Sequence, residues 1–157
     1  MLGAVQSWLL ADSTLLGLPV AFVLGALVGL EREWCRNAAG LRTCVLVTTA
    51  AAAFADLMTT QVHPNNLGAG FGAIATGVGF LGAGTIMQNG ASVRGLSTAA
   101  TLWCLAAIGA TAGAGETVAA VWLTLLVLAV NIVLKPVARL VRRIRPPRSA
   151  EDSLLEG

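Results

Sequence analysis

Residues 77–103 read GVGFLGAGTIMQNGASVRGLSTAATLW: a glycine-studded apolar half, a polar break and a second apolar half. Ala75 to Met87 carries no charge and neither does Gly95 to Gly115, while Gln88, Asn89, Gly90 and Arg94 lie between them. Two apolar segments with so short a break predict a helical hairpin that crosses a membrane twice, its tip at one water interface.

The rest of the chain has the same character. Of its 157 residues, 56% are hydrophobic and only 11% charged, and the mean hydropathy is +0.78. A soluble domain carries about a quarter charged residues. The charges also sit in blocks, which leaves uncharged windows of about 20 residues, the length that spans the hydrocarbon of a bilayer. The expected fold is therefore all-α and polytopic, with five transmembrane helices at 14–30, 43–60, 67–87, 96–113 and 117–134. Asp12 or Ser13 is placed to cap the first, and Ser97 or Thr98 the fourth. Met1 to Ala11 is apolar but lacks a basic start and is not read as a removable signal. After the last span, Pro136 can open a short basic helix running to Arg148, with Val137, Leu140, Val141 and Ile144 on one face, suited to an anionic membrane surface. An acidic tail follows. This divides the chain into a membrane domain, 1–135, and a basic helix with its tail, 136–157.

All ten Lys and Arg residues fall in three places: Arg32, Arg36 and Arg42 after the first span, Arg94 after the third, and Lys135, Arg139, Arg142, Arg143, Arg145 and Arg148 after the fifth. The intervening loop segments have none. By the positive-inside rule the N-terminus lies outside and the C-terminus inside, in a multi-pass membrane protein.

Small residues recur at spacing four in the first span (Ala21, Gly25, Gly29), which makes a flat face for close helix contact. The third span holds Gly68, Gly70, Gly72, Gly77, Gly79, Gly82 and Gly84. Interior glycines each cost about 1 kcal/mol against alanine, so Gly77, Gly79, Gly82 and Gly84 are expected to serve close packing, as are Gly25 and Gly29. Gly77-Val78-Gly79-Phe80-Leu81-Gly82 matches the dinucleotide fingerprint literally, but no strand precedes it and no βαβ unit contains it. Asp56 and Asn131 are isolated polar groups within spans, open to a cation or to hydrogen bonds across helices. The lone His63, in a short loop beside Pro64, reads as solvated. Cys35, Cys44 and Cys104 show neither a disulfide framework nor zinc spacing. Nothing implies a cofactor, a metal or a nucleic acid, and with no nucleophile–base set an enzyme is disfavoured.

The topology gathers the polar motifs at the cytoplasmic face: Glu31, Arg32, Arg42, Thr43, Gln88, Asn89, Arg94, Ser97 and Thr98. Spans two and four begin there, so their free backbone N–H groups suit an anion beside Arg42 and Arg94. Spans one and three end there, and their free carbonyls with Glu31 and Glu33 suit a cation. An ion-pair network pinning the loops to one another explains the same residues without a ligand.

Several of these stretches together resemble the MgtC/SapB family of bacterial inner-membrane proteins. They are Gly29-Leu30-Glu31-Arg32-Glu33-Trp34, Ala39-Gly40-Leu41-Arg42-Thr43, Gly79-Phe80-Leu81-Gly82-Ala83-Gly84, Val93-Arg94-Gly95-Leu96 and Thr98-Ala99-Ala100-Thr101-Leu102-Trp103. The resemblance implies a non-enzymatic regulator linked to growth when magnesium is scarce and, in pathogens, to survival in phagocytes. It also implies a partner such as the F-type ATP synthase, beside the lipid bilayer itself. Longer members carry a soluble C-terminal domain, which this chain stops short of. The chain departs from the pattern at Gln88-Asn89, where Arg-Glu is usual, at Ser97, where Asn is usual, and at Asp56, an apolar position. The alternative reading is a small ion-conducting or magnesium-transport-related membrane protein using Asp56 and Asn131. Homo-oligomers are compatible with either.

Overall fold

The computed structural model describes residues 13–61, 67–90 and 92–144. The N-terminal segment with Asp12, the loop with His63, and the stretch from Arg145 through the acidic tail lie outside the described residues. Five helices occur among the described residues: α1 (Ser13–Trp34), α2 (Leu41–Gln61), α3 (Leu67–Thr85), α4 (Leu96–Gly113) and α5 (Thr117–Ile144). Four of them, α2 to α5, are long and apolar enough to cross a membrane by length and composition. α1 is itself uncharged from Ser13 to Leu30. Large apolar side chains face outward throughout, Phe80 at 81% exposure among them. Water would penalise such a surface, and lipid favours it. The protein is an all-α polytopic membrane protein.

The chain's contacts divide it after Val127. In the first unit α4 is central, packed against α1, α2 and α3. It runs parallel to α2, because Gly109 meets Thr48 and Gly113, one turn on, meets Ala52. It runs antiparallel to α1 and α3. Ala21 and Leu24 of α1, Ala52 of α2, Ile108 and Ala112 of α4 and Ala120 of α5 form a buried cluster.

The closest approaches are made by glycines. A side chain at Gly109 would run into the Thr48 carbonyl oxygen, and one at Gly113 into that of Ala52. A Cβ at Gly25 would lie 2.8 Å from Thr48 Oγ1, and one at Gly29 would lie 2.9 Å from Leu41 Cα. Gly25 and Gly29 therefore lie directly against α2. Gly82 makes ordinary contact, 3.4 Å from the Ala99 methyl. Gly77, Gly79 and Gly84 do not pack within the chain: nothing approaches their open faces within 4 Å. α3 meets its neighbours at Gly70, which faces the Met58 side chain, and at Val78 and Gly82, and turns these other glycines outward. Within the bundle, close packing belongs to α1 and α4.

Several hydroxyls inside the apolar bundle bond back to their own helices, which suits a medium without water. Thr48, Thr101, Thr111 and Thr124 each donate to the carbonyl one turn earlier, at 2.7–2.8 Å.

Two further features differ from the sequence reading. The polar break between α3 and α4 is an antiparallel ribbon of β1 (Met87–Asn89) and β2 (Ser92–Arg94), paired Met87 to Arg94, Gln88 to Val93 and Asn89 to Ser92. Gly90 supplies the positive φ (60°) that a two-residue hairpin loop demands at its first position. The last span and the basic helix are also one helix, α5, with Pro136 inside it rather than at its start. Proline deletes one backbone hydrogen bond and crowds the carbonyl four residues earlier, which a helix of 28 residues can absorb as a local bend. In the second unit, residues 128–144, Val137, Leu140 and Val141 are exposed and Asn131 is buried.

Candidate functional site

Arg32 is the key to one end of the bundle. It sits two residues beyond Leu30, where the uncharged run of α1 ends, and is 1% exposed. Its Nη2 donates to Thr98 Oγ1 at 2.7 Å, while Nη1 reaches Thr101 Oγ1 and Nε the Ala39 carbonyl, both at 3.5 Å. These partners are all neutral. The guanidinium thus bridges the end of α1, the α1–α2 linker and the first turns of α4. Burial pulls its pKa below the ordinary value, although nearby Cys44 and Glu31 act in the opposite direction. An arginine remains a cation throughout the physiological range.

The backbone around Arg32 is closed as tightly as its side chain. Asn37 N–H donates to the Arg32 carbonyl at 3.0 Å and Arg36 N–H to the Glu33 carbonyl at 2.9 Å, with Arg36 in the left-handed region at φ 51°. This is the two-bond helix ending that usually employs glycine at the Arg36 position. Asn37 Nδ2 adds a second donor to the same Arg32 carbonyl at 3.3 Å. The chain then turns directly into α2, whose first N–H, that of Leu41, donates to Glu33 Oε2 at 3.0 Å. Glu33 therefore supplies the anion for the positive end of α2. Gly40 leaves the necessary room, since a Cβ there would collide with that carboxylate oxygen.

The N-terminus of α4 is built differently from the expected side-chain cap. Its N-cap is Gly95, at φ 91° and ψ −9°, and no side chain caps it. Ser97 is exposed and Thr98 lies inside the helix, where its hydroxyl serves Arg32 instead. Gly95 is irreplaceable on two counts. Its φ lies in the left-handed region, and a side chain would strike the Thr85 carbonyl oxygen. The base of the ribbon is thereby clamped between the end of α3 and the start of α4.

The nine residues grouped at this end divide into two sets. Arg32 and Thr98 belong to the buried knot, with Glu31 half-buried beside it. Gln88, Arg94 and Ser97 are exposed on or beside the ribbon, and Arg42 and Thr43 are exposed on the first turn of α2. Asn89 closes β1 opposite Ser92. Thr101, Ala39 and Glu33 complete the knot; the sequence offered Glu33 to a cation and singled out neither Thr101 nor Ala39 by itself. Thr101 had a legible signal, standing three residues after Thr98 on the same helix face. Among the described residues no cluster of His, Cys, Asp or Glu could hold a metal, and the three cysteines are free.

Comparison with known proteins finds several relatives of this chain. The chain is 46% identical to Protein MgtC of Salmonella typhimurium (strain 14028s) over 137 residues, covering 87% of this chain and 58% of the relative. It is 45% identical to Protein MgtC of Brucella abortus (strain 2308) over 122 residues, covering 76% of this chain and 50% of that one. It is 41% identical to an uncharacterized Synechocystis protein, slr0014, over 140 residues, or 89% and 59% of the two chains. The chain thus spans between half and three-fifths of the length of these relatives. No solved structure matches it. The sequence pattern of the MgtC family matches residues 18–140, a range that takes in α2 to α4, most of α1 and α5 and the Arg32 knot, and the chain belongs to that family.

Proposed function

We propose that this protein is a non-enzymatic regulator of the bacterial inner membrane that serves adaptation to scarce magnesium. It would act by docking the Arg32 end of its bundle on another membrane complex, with the F-type ATP synthase as the candidate. The observation that carries this reading is the ribbon Met87–Arg94. It is exposed, its base is clamped by Gly95, and α4 behind it is held by Arg32, so it presents a preorganised surface at little entropic cost. Membership of the MgtC family supports the direction of the proposal. An ion pathway would need a polar line through the bundle. The cavity between α2 and α3, about 440 Å³, is instead lined by apolar residues such as Val47, Phe54, Ile74 and Leu81.

Arg94 is the residue to test. It is exposed, and the hydrogen bonds of the knot do not involve it, so its loss should spare the fold. Arg94→Gln should accumulate normally yet weaken docking about tenfold, the size of one charge-assisted contact. The assay is growth at limiting magnesium read beside membrane ATP-synthase activity. Wild-type behaviour in both would remove the ribbon from the mechanism.

The proposal also requires the ribbon to face the cytoplasm, as the basic residues dictate. In a background without native thiols, a membrane-impermeant reagent added outside should label a cysteine at Asn65 and spare one at Asn89. The reverse pattern would place the ribbon on the other side of the membrane.

A further inference from the structure

Asp56 is the one charged residue within the apolar runs of the five helices: 13–30, 43–61, 67–85, 96–113 and 117–134 otherwise contain no Asp, Glu, Lys or Arg. It stands on α2 five residues before the helix ends at Gln61. At 1.5 Å per residue that is about 7.5 Å inside the end of a helix whose length, about 30 Å, equals the hydrocarbon thickness. One carboxylate oxygen, Oδ1, is sealed from solvent and has no hydrogen-bond partner among the described residues. The neighbouring hydroxyls do not help. Thr59 and Thr60 both donate to the Asp56 carbonyl, at 3.0 and 2.8 Å. The residue as a whole is only half-buried, so part of it lies at the outer surface of the bundle.

A carboxylate at this depth is costly unless a cation meets it. The apolar runs of the five helices contain no Lys or Arg, and a second copy would bring the same runs to the same depth. A lipid amine sits at the headgroup level, farther out. We propose that Asp56 is a docking point for a transmembrane helix of another protein that carries a lysine or arginine at this depth. The α2 flank would receive the helix through lipid-like packing, and the single ion pair would set its register and identity. In hydrocarbon one such pair discriminates strongly, because the wrong partner leaves two unpaired charges. The site lies at the opposite end of α2 from the Arg32 knot and is independent of the ribbon, so it stands or falls separately from the regulator reading.

The test uses the full chain in phosphatidylcholine vesicles and a synthetic 21-residue leucine–alanine helix bearing one lysine five residues from its end. A glutamine version is the control, and association is followed by energy transfer. The lysine helix should bind about tenfold more tightly than the glutamine helix, equivalent to about 1.4 kcal/mol. Asp56→Asn should abolish the difference and Asp56→Glu should keep it, with both variants matching the wild type in thermal melting. Equal binding of the two helices, or a lysine preference that survives in Asp56→Asn, overturns the proposal. So does loss of the preference when phosphatidylethanolamine replaces phosphatidylcholine, which would make a lipid amine the occupant.

Discussion

Replacing Gly109 by leucine should prevent the bundle from closing, while the same change at Gly79 should leave membrane accumulation and thermal melting unchanged. Gly109 and Gly113 are one turn apart on α4 and lie directly on the backbone of α2. A carbonyl oxygen of a packed helix cannot rotate aside as a side chain does, so the two helices would have to separate. Overpacking in a core typically costs about 1–3 kcal/mol where side chains can yield. Here the obstacle is backbone, and the penalty should exceed about 3 kcal/mol, enough to remove folded protein from the membrane. Gly109→Ala should already show a measurable loss. At Gly79 the added atoms would enter open space facing lipid. Equal melting temperatures for Gly109→Leu and Gly79→Leu would refute the assignment of α4 as the close-packed helix.

The second large effect is expected at Arg32. Its truncation to alanine removes donors to Thr98, Thr101 and the Ala39 carbonyl together and leaves a void among three chain segments. Charge-assisted hydrogen bonds contribute about 1.5–3 kcal/mol, and stranded buried acceptors add their own penalty. A net loss of about 3 kcal/mol is the expected size after relaxation. Lysine should not rescue it, because one ammonium cannot reach acceptors set apart to match a planar fork. Thr98→Val should cost less than half as much. A double-mutant cycle between Arg32→Ala and Thr98→Val should show positive coupling in melting experiments. Additive effects would mean that the short 2.7 Å contact contributes nothing of its own.

How far these features could be read from sequence follows from the solvent. The extents of α2, α3 and α4 were legible to within two residues, because uncharged runs bounded by glycine, proline or arginine translate directly into membrane-spanning helices. Which glycines pack was not legible in α3. In a soluble helix the apolar face marks the interior, but in lipid both faces are apolar, and Gly79 and Gly109 look alike on paper. The first span was easier, since Ala21, Gly25 and Gly29 repeat at one spacing and no competing stripe exists. The ribbon was missed because two strands of three residues carry too little alternation to register; only Gly90 and Gly95 hinted at it. Pro136 read as a boundary because proline usually begins or ends helices, whereas here α5 continues through it. Arg32 was legible as a site residue, but its role was not. A charge at a helix end ordinarily faces water, and only the threonines 66 and 69 residues away reveal that this one is withdrawn from it.

That separation along the chain also sets an order of biogenesis. Arg32 and Ala39 leave the ribosome long before Thr98 and Thr101 exist, so for much of synthesis the guanidinium has no lateral partner beyond its own loop. During that interval hydration at the membrane surface is the favourable state of the guanidinium. The arrival of α4 delivers two hydroxyls to the guanidinium in the same movement that seats Gly109 and Gly113 on α2. Dehydration of one arginine and lateral closure of the bundle are therefore a single, late event in the making of this protein.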